Sequence, residues 1–210
     1  MNLPQITSPH AHGQNSTSDV MRTVLIATIP GVIALTHCFG IGTLYNILLA
    51  CMTAVACEAA ILKLRHRPIG FYLRDYSALV TAVLLGISLP PYCPWWLVVV
   101  GTGTAIILAK HLYGGMGYNP FNPAMVGYVV LIISFPIDMT TWAAPSNILN
   151  ENQSLMGPIS ALGRIFFETP FDAFSGATPL DLFKHQDGKT IQQIYSDEIL
   201  FSQARWAGAG

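Results

Sequence analysis

Residues 43–67 read TLYNILLACMTAVACEAAILKLRHR, and this stretch decides what kind of protein the chain is. Positions 43–62 carry a single charged side chain, that of Glu58. A helix of about 20 apolar residues is long enough to cross the ~30 Å hydrocarbon core of a bilayer. The basic run that follows, from Lys63 to Arg67, is typical of the end of a span that faces the cytoplasm. The stretch therefore predicts a transmembrane helix with a cytoplasmic carboxyl end.

Four more apolar stretches lie around this one in the first two-thirds of the chain. The whole sequence is 52% hydrophobic and 10% charged, whereas soluble domains carry roughly 25% charged residues. We therefore predict an all-α fold, a polytopic membrane helical bundle of about five spans followed by a polar external segment. The predicted spans are 20–39, 43–62, 76–90, 95–112 and 123–137, between a cytoplasmic segment 1–19 and an external segment 138–210.

Charged residues are distributed unevenly between the two parts of the chain. Residues 1–137 contain six Lys/Arg and three Asp/Glu, whereas residues 138–210 contain four and eight. With alternating spans, all six basic residues of the first part fall on one side of the membrane. The positive-inside rule then predicts a bacterial inner-membrane protein with a cytoplasmic N-terminus and a periplasmic segment 138–210. The net charge of −1 gives no reason to expect nucleic acid as a partner, and membrane lipid is the expected surrounding.

Glu58 is the one carboxylate inside a predicted span, and intramembrane ionisable groups are functional candidates by default. The alternative is that its side chain reaches Lys63 and Arg65 at the end of its own helix. The sequence shows no Ser-His-Asp set, no metal-ligand spacing and no phosphate-binding loop, and its four cysteines lack a CxxC spacing. We therefore predict no acid–base catalytic residue, no metal site and no disulfide framework.

Residues 114–124 read GGMGYNPFNPA, with three glycines before two Asn-Pro steps. Asn suits a helix N-cap and Pro suits the first helical position. Two alternatives stay open here. One is a broken half-helix whose positive end points at a site near the cytoplasmic face, and the other is a simple kinked start of the fifth span. Within the fourth span, the small residues Gly101 and Gly103 are expected to allow close helix packing.

Residues 172–181, in the predicted external segment, read DAFSGATPLD. Thr178, Pro179 and Asp181 suit the N-cap, first and third positions of a helix. The same geometry suits a phosphoester, because a phosphate on the Thr178 hydroxyl would lie where free N–H groups and the helix dipole favour an anion.

The pattern Asp-x-x-Ser-Gly-Ala-Thr at 172–178 resembles the flavinylation motif of the membrane flavoproteins in Rnf and Na⁺-translocating NADH:quinone reductase complexes. The rest of the chain is similar to the D subunits of Rnf complexes. The similar segments are SPH (8–10), PPYCPWW (90–96), KHLYGG (110–115), NPFNPAMVGY (119–128), ISFP (133–136), MTTW (139–142) and ATPLDLFK (177–184).

This resemblance implies that an external flavin transferase attaches FMN through its phosphate to Thr178. Asp172, Ser175, Gly176 and Ala177 are then the motif positions that the transferase reads. It also implies an electron-carrying subunit of a complex that couples ferredoxin–NAD⁺ redox chemistry to ion movement, with the other subunits as partners and no independent catalysis. A second, non-covalently bound flavin is left open.

Members of this family continue past the point where the present sequence stops, with further spans. The resemblance therefore leads us to expect the first half of a larger two-half fold. Two other functions stay open at this stage. One is half of a small-solute channel or transporter, suggested by the Asn-Pro segment and the low charge. The other is a structural anchor that carries no electrons.

Overall fold

The structure is a computed structural model that describes residues 16–115, 117–143 and 157–167. In these ranges the chain forms a bundle of helices, as predicted, and each predicted span contains a helix. The helices are α1 (Thr17–Phe39), α2 (Gly42–Leu64), α3 (Ile69–Leu73), α4 (Ser77–Ser88), α5 (Trp95–Thr104) with a π-helical continuation (Ala105–His111), α6 (Pro123–Ser134), α7 (Pro136–Thr140) and α8 (Pro158–Phe167).

Two helices of the described part of the chain, α1 and α2, are long and apolar enough to cross a membrane, at 23 residues each. Helix α1 begins with a capping box, in which the side chains of Ser16 and Asp19 each accept a hydrogen bond from the other residue's backbone N–H. It has no buried residue, which suits a helix whose apolar side chains face lipid. Helices α4 and α6 have 12 residues each, so a full crossing by these shorter helices stays a prediction.

Helix α4 lies in the middle of the bundle, where it packs against α1, α2, α5 and α6. Its buried face is made mainly of small residues: Ser77, Ala78, Thr81, Ala82, Leu85 and Gly86. A Cβ atom added to Gly86 would lie 2.9 Å from the Cα atom of Ile47 in α2. The two backbones therefore approach closely, which is how membrane helices gain packing energy when lipid offers no hydrophobic driving force between them.

Helices α5 and α6 make a second close contact. A Cβ atom on Gly127 would lie 2.6 Å from the carbonyl oxygen of Gly101, and one on Gly101 would overlap the side chain of Leu131. The expected close packing is thus confirmed at Gly101. At Gly103 nothing lies within 4 Å of the added atom, so this glycine has no such role among the described residues.

At one end of the bundle, the α1–α2 and α4–α5 connections meet. The Asn46 side chain donates a hydrogen bond of 2.8 Å to the Pro90 carbonyl, and the Tyr92 hydroxyl donates one of 2.9 Å to the Phe39 carbonyl. The Phe39 and Trp142 rings pack edge to face with centroids 5.9 Å apart. The helices therefore alternate in direction, and aromatic side chains gather at this end, as they do at membrane–water interfaces.

The basic residues of the first 137 positions gather at the opposite end. They lie in the first turns of α1, at and after the end of α2, before α4, and in the π-helical segment: Arg22, Lys63, Arg65, Arg67, Arg74 and Lys110. The Arg22 guanidinium donates to the Tyr76 hydroxyl at 2.9 Å, which ties α1 to the start of α4. This gathering agrees with the alternation of spans that the charge pattern predicts.

The sequence leaves two alternatives open for residues 114–124, a broken half-helix and a simple kinked start of the fifth span. The structure shows the second. Residues 112–122, Met116 aside, form turns rather than a half-helix before α6. The side-chain oxygen of Asn122 accepts from the Ala124 N–H at 3.0 Å, with Pro123 as the first helical residue. Asn119 instead accepts from the Gly117 N–H at 3.2 Å within a turn. The fifth predicted span therefore begins simply, with Asn122 as its cap.

Helix α8 adds an element that the sequence pattern did not predict. Its residues Ala161 and Ile165 are buried, and the helix packs against α2, with the Tyr45 hydroxyl donating to the Pro158 carbonyl at 3.4 Å. The segment after residue 137, predicted as polar, thus contains an amphipathic helix. With 10 residues, it is too short to be recognised as a span from hydropathy.

The four cysteines are free in the structure. Cys93 is buried in the core, whereas Cys38, Cys51 and Cys57 are partly buried. Burial raises the pKa of the Cys93 thiol to about 12, so the thiolate form is scarce at neutral pH and the side chain is chemically inert.

The contact between α5 and α6 leads to a stability prediction. Gly127→Ala should lower the free energy of unfolding by about 1–3 kcal/mol, because its new methyl group meets backbone that cannot move aside. Gly103→Ala is the matched control, since its methyl group meets open space and Ala favours a helix over Gly by about 1 kcal/mol. Thermal unfolding in mild detergent measures both variants. Equal midpoints for the two would contradict the proposed contact.

Candidate functional site

The flavinylation motif predicted from sequence lies outside the described residues. This applies to Asp172, Ser175, Gly176, Ala177 and Thr178. The remaining site residue predicted from sequence, Glu58, lies within the described part, and its surroundings form the site that the structure brings together.

Glu58 is almost completely buried and forms an ion pair with Lys110. The Lys110 ammonium donates hydrogen bonds of 2.7 Å to both carboxylate oxygens of Glu58 and one of 2.7 Å to the Ser77 hydroxyl. An ammonium has three hydrogens to donate, so all three are satisfied. The pair joins the carboxyl-terminal part of α2, the start of α4 and the π-helical segment. The alternative contact with Lys63 or Arg65 is therefore not the one that forms.

Asp75 extends this network towards the surface. Its Oδ1 atom accepts hydrogen bonds from the Ser77 N–H at 2.8 Å and from the Ser77 hydroxyl at 2.7 Å. Asp75 thus satisfies a free N–H at the start of α4, as a capping side chain does, although the N-cap position itself is Tyr76. Tyr76 adopts φ of 59° there, and this left-handed turn lets Asp75 point back at the helix start.

His111 stands next to the pair without joining it. Its Nε2 atom is 3.8 Å from Glu58 Oε1 and has no hydrogen-bond partner among the described residues, although the side chain is only 5% exposed. Buried polar atoms are usually hydrogen-bonded, and an exception calls for an explanation. The backbone carbonyl of His111 accepts from the Arg65 guanidinium at 2.8 Å, which fixes the end of the π-helical segment against α2.

The π-helical segment Ala105–His111 is the local structure that presents Lys110 and His111 side by side. Both consecutive side chains are buried, whereas regular α-helical geometry would separate neighbours by about 100° around the axis. Segments of π-helix occur mostly as short stretches within α-helices and frequently mark functional sites.

Glu58, Lys110 and His111 form the floor of an open cleft of about 920 Å³ at the basic end of the bundle. Its mouth is formed by arginines and aromatic residues from the α2–α4 connection and from the glycine-rich segment. The charged and aromatic residues that line the cleft are Glu58, Arg65, Arg67, Phe71, Tyr72, Arg74, Asp75, Lys110, His111, Tyr113 and Tyr118.

Chemically, the site is a hydrogen-bonded chain of ionisable groups that leads from the bundle interior to the cleft. The Lys110 ammonium donates to the Ser77 hydroxyl, which in turn donates to Asp75. The described residues contain no cluster of three or more His, Cys, Asp or Glu side chains that could hold a metal ion. The arrangement can therefore hold or exchange protons and fix charge, and it offers no metal-ligand set.

The sequence pattern identifies Glu58 but not its partner Lys110, because the two residues lie 52 positions apart. One feature of the sequence did point to the pairing. Lys110 is the one cation near the end of the fourth predicted span, and the predicted topology places it on the same side of the membrane as Glu58. Only the helix packing shows that the two side chains meet.

Comparisons with known proteins cover nearly the whole chain. The sequence profile described as the NQR2, RnfD, RnfE family matches residues 5–208. A protein from Cellvibrio japonicus, named as the D subunit of an ion-translocating oxidoreductase complex, is 53% identical over 210 residues, which is 100% of this chain and 59% of that protein. Proteins of the same name from Ectopseudomonas mendocina and Pseudomonas aeruginosa are 51% and 48% identical, again over 100% of this chain and 59% of their own length. The chain thus spans about three-fifths of the length of these curated relatives.

The buried ion pair leads to a prediction about stability. Glu58→Gln and Lys110→Met should each lower the free energy of unfolding by about 3–5 kcal/mol, because each leaves an uncompensated charge in the bundle. The double variant should recover much of that loss, since it removes both charges. A double-mutant cycle from unfolding in detergent measures the coupling. If the two losses simply add, the side chains do not form the pair that the structure shows.

Proposed function

Because this chain belongs to the NQR2, RnfD, RnfE family, we propose that it is a membrane subunit of an ion-translocating oxidoreductase complex. The observation that carries the proposal is the match over residues 5–208, together with relatives about half identical that bear that name. The helical bundle agrees with it, since an electron-transfer subunit of such a complex needs a scaffold in the membrane. The proposed partners are the other subunits of the complex and the surrounding lipid.

The proposed redox group is FMN, attached through its phosphate to the Thr178 hydroxyl. Its support comes from sequence, because the motif at 172–178 has the spacing of a flavinylation site and Pro179 suits a helix start directly after Thr178. Asp172, Ser175, Gly176 and Ala177 are the positions that a flavin transferase would recognise. When bound, the isoalloxazine ring supplies the electron chemistry, and the protein supplies attachment and position.

The proposed topology places the basic end of the bundle in the cytoplasm and the segment after residue 137 in the periplasm of a bacterial inner membrane. Its support is the gathering of Arg22, Arg65 and Lys110 at one end, which the positive-inside rule assigns to the cytoplasm. The chain leaves the described bundle from the other end, where Trp142 packs on Phe39. Thr178 would then lie on the side where an external transferase works.

Within this function, Glu58 is the proposed intramembrane group that links charge in the bundle to ion movement. It is buried, paired with Lys110 and connected through Ser77 to Asp75 at the cleft. An intramembrane carboxylate with a hydrogen-bonded path to the surface has the arrangement that proton relays require.

Flavin attachment is tested with Thr178→Ala in the full protein co-expressed with a flavin transferase. Wild-type protein should show in-gel flavin fluorescence after denaturation and a mass increase of one FMN less water on the peptide that contains Thr178. Thr178→Ala should lose both signals, because the acceptor hydroxyl is gone. Thr140→Ala is the control and should leave attachment intact, since among the described residues its hydroxyl bonds to the backbone of α7 alone. A fluorescent Thr178→Ala band would exclude this threonine as the acceptor.

If Thr178→Ala loses the flavin but electron transfer by the whole complex is unchanged, the protein is a structural anchor rather than an electron carrier. Electron transfer that falls together with the flavin signal supports the proposed role.

The topology is tested by reporter fusions. Alkaline phosphatase, which is active only in the periplasm, should be active when fused after residue 143 and inactive when fused after residue 67. A fluorescent protein that matures only in the cytoplasm should give the opposite pattern. The reverse result at both positions would place the basic end outside and contradict the proposal.

A further inference from the structure

The cleft at the basic end contains an excess of positive charge that the described residues do not neutralise. Three arginines form its mouth, Arg65, Arg67 and Arg74, and all three are exposed. Of the two carboxylates that line the cleft, Glu58 is neutralised by Lys110, and Asp75, which is hydrogen-bonded to the neutral Ser77, offsets the charge of only one arginine. No arginine of the cleft forms an ion pair within the described part of the chain.

The guanidinium groups also keep most of their hydrogen-bonding capacity. Arg65 uses one nitrogen on the His111 carbonyl, and Arg67 lies over the Tyr72 ring at 5.5 Å and donates a long hydrogen bond of 3.5 Å to the Tyr72 hydroxyl. The Arg74 guanidinium makes no hydrogen bond or ion pair with any described residue. A guanidinium has five donors in a planar fork that matches phosphate oxygens in pairs.

A second observation comes from the floor of the cleft. His111 is one of the residues that line it, and the Nε2 atom of this side chain is buried and has no hydrogen-bond partner among the described residues. An anion that entered between the arginines would supply an acceptor for this atom. The His111 nitrogen and the arginines, which have no ionic partner among the described residues, thus both indicate an anionic ligand.

From these observations we propose that the cleft binds a phosphate-ester anion, held by Arg65, Arg67 and Arg74. This chemistry is shared by the headgroup of an acidic phospholipid and by a soluble phosphate compound. The surroundings favour the lipid, because the exposed side chains of Phe71 and Tyr113 line the same cleft and offer apolar surface to an acyl chain. Basic pockets between membrane helices are a recurrent site for acidic headgroups. The proposal does not depend on the redox function.

The test uses the full chain, purified in neutral detergent and titrated with short-chain phosphatidylglycerol, short-chain phosphatidylcholine or inorganic phosphate. Ligands that bind the folded protein raise its unfolding temperature, so the midpoint reports binding. Phosphatidylglycerol should raise the midpoint and phosphatidylcholine should not. A similar rise with phosphate alone assigns the site to a soluble phosphate compound, whereas no rise with either anion overturns the proposal.

Variants locate the site. The triple variant Arg65→Gln, Arg67→Gln, Arg74→Gln should weaken binding roughly fivefold for each arginine removed. Lys63→Gln is the matched control, because Lys63 is an exposed cation at the same end of the bundle that does not line the cleft. If Lys63→Gln weakens binding as much as a single arginine variant, general surface charge attracts the anion and the proposed site is wrong.

Two further measurements keep the test decisive if the triple variant does not fold. The triple Arg→Lys variant keeps the charge but loses the planar forks, so it should bind more weakly than wild type. Native mass spectrometry of the wild-type protein from its own membrane should show retained acidic phospholipid that added phosphate displaces. Unchanged affinity in the lysine variant, or retained lipid that is zwitterionic only, would count against the site.

Discussion

The ion pair between Glu58 and Lys110 is the constraint on which the bundle depends. A charge inside a membrane protein is tolerated only when an opposite charge and hydrogen bonds compensate it. Lys110 meets this condition with both oxygens of Glu58 and with Ser77. Three elements must therefore meet at one point, α2, the start of α4 and the π-helical segment, and a displacement of any of them would leave a buried charge uncompensated.

Close backbone packing makes that meeting point possible. Helices α2 and α4, which the ammonium bridges at Glu58 and Ser77, also approach each other closely at Gly86 and Ile47. The contact of Gly127 with the Gly101 carbonyl holds α6 against α5 in the same way. Small residues thus set the distances between helices, and the ion pair sets their register along the bundle axis. The ion pair needs the close packing, because a pair between loosely packed helices would admit water and lose its geometry.

The sequence predicts the parts of this fold that depend on local composition, and it fails where distant residues meet. The apolar stretches correspond to helices because length and hydropathy are local properties. Asn122 caps α6 as its Asn-Pro step indicates. The partner of Glu58 was not predictable from pattern, because its choice of Lys110 over Lys63 depends on helix packing. Helix α8 was missed because ten residues with one apolar face have no distinctive length, and α2 supplies the surface that buries them.

The two ends of the bundle differ in chemistry, and this difference links the proposed sites to each other. One end has a cleft and arginines that form no ion pair with the described residues. The other has aromatic side chains, Phe39 and Trp142 among them. A protein that presents a flavin on one side of a membrane needs a fixed orientation, and basic residues confined to the opposite end provide it. Arginines that only set orientation have no need of a common cleft, whereas Arg65, Arg67 and Arg74 share one with His111, whose buried Nε2 atom has no partner in the described part of the chain. The same charges that orient the chain are therefore arranged to hold an anion.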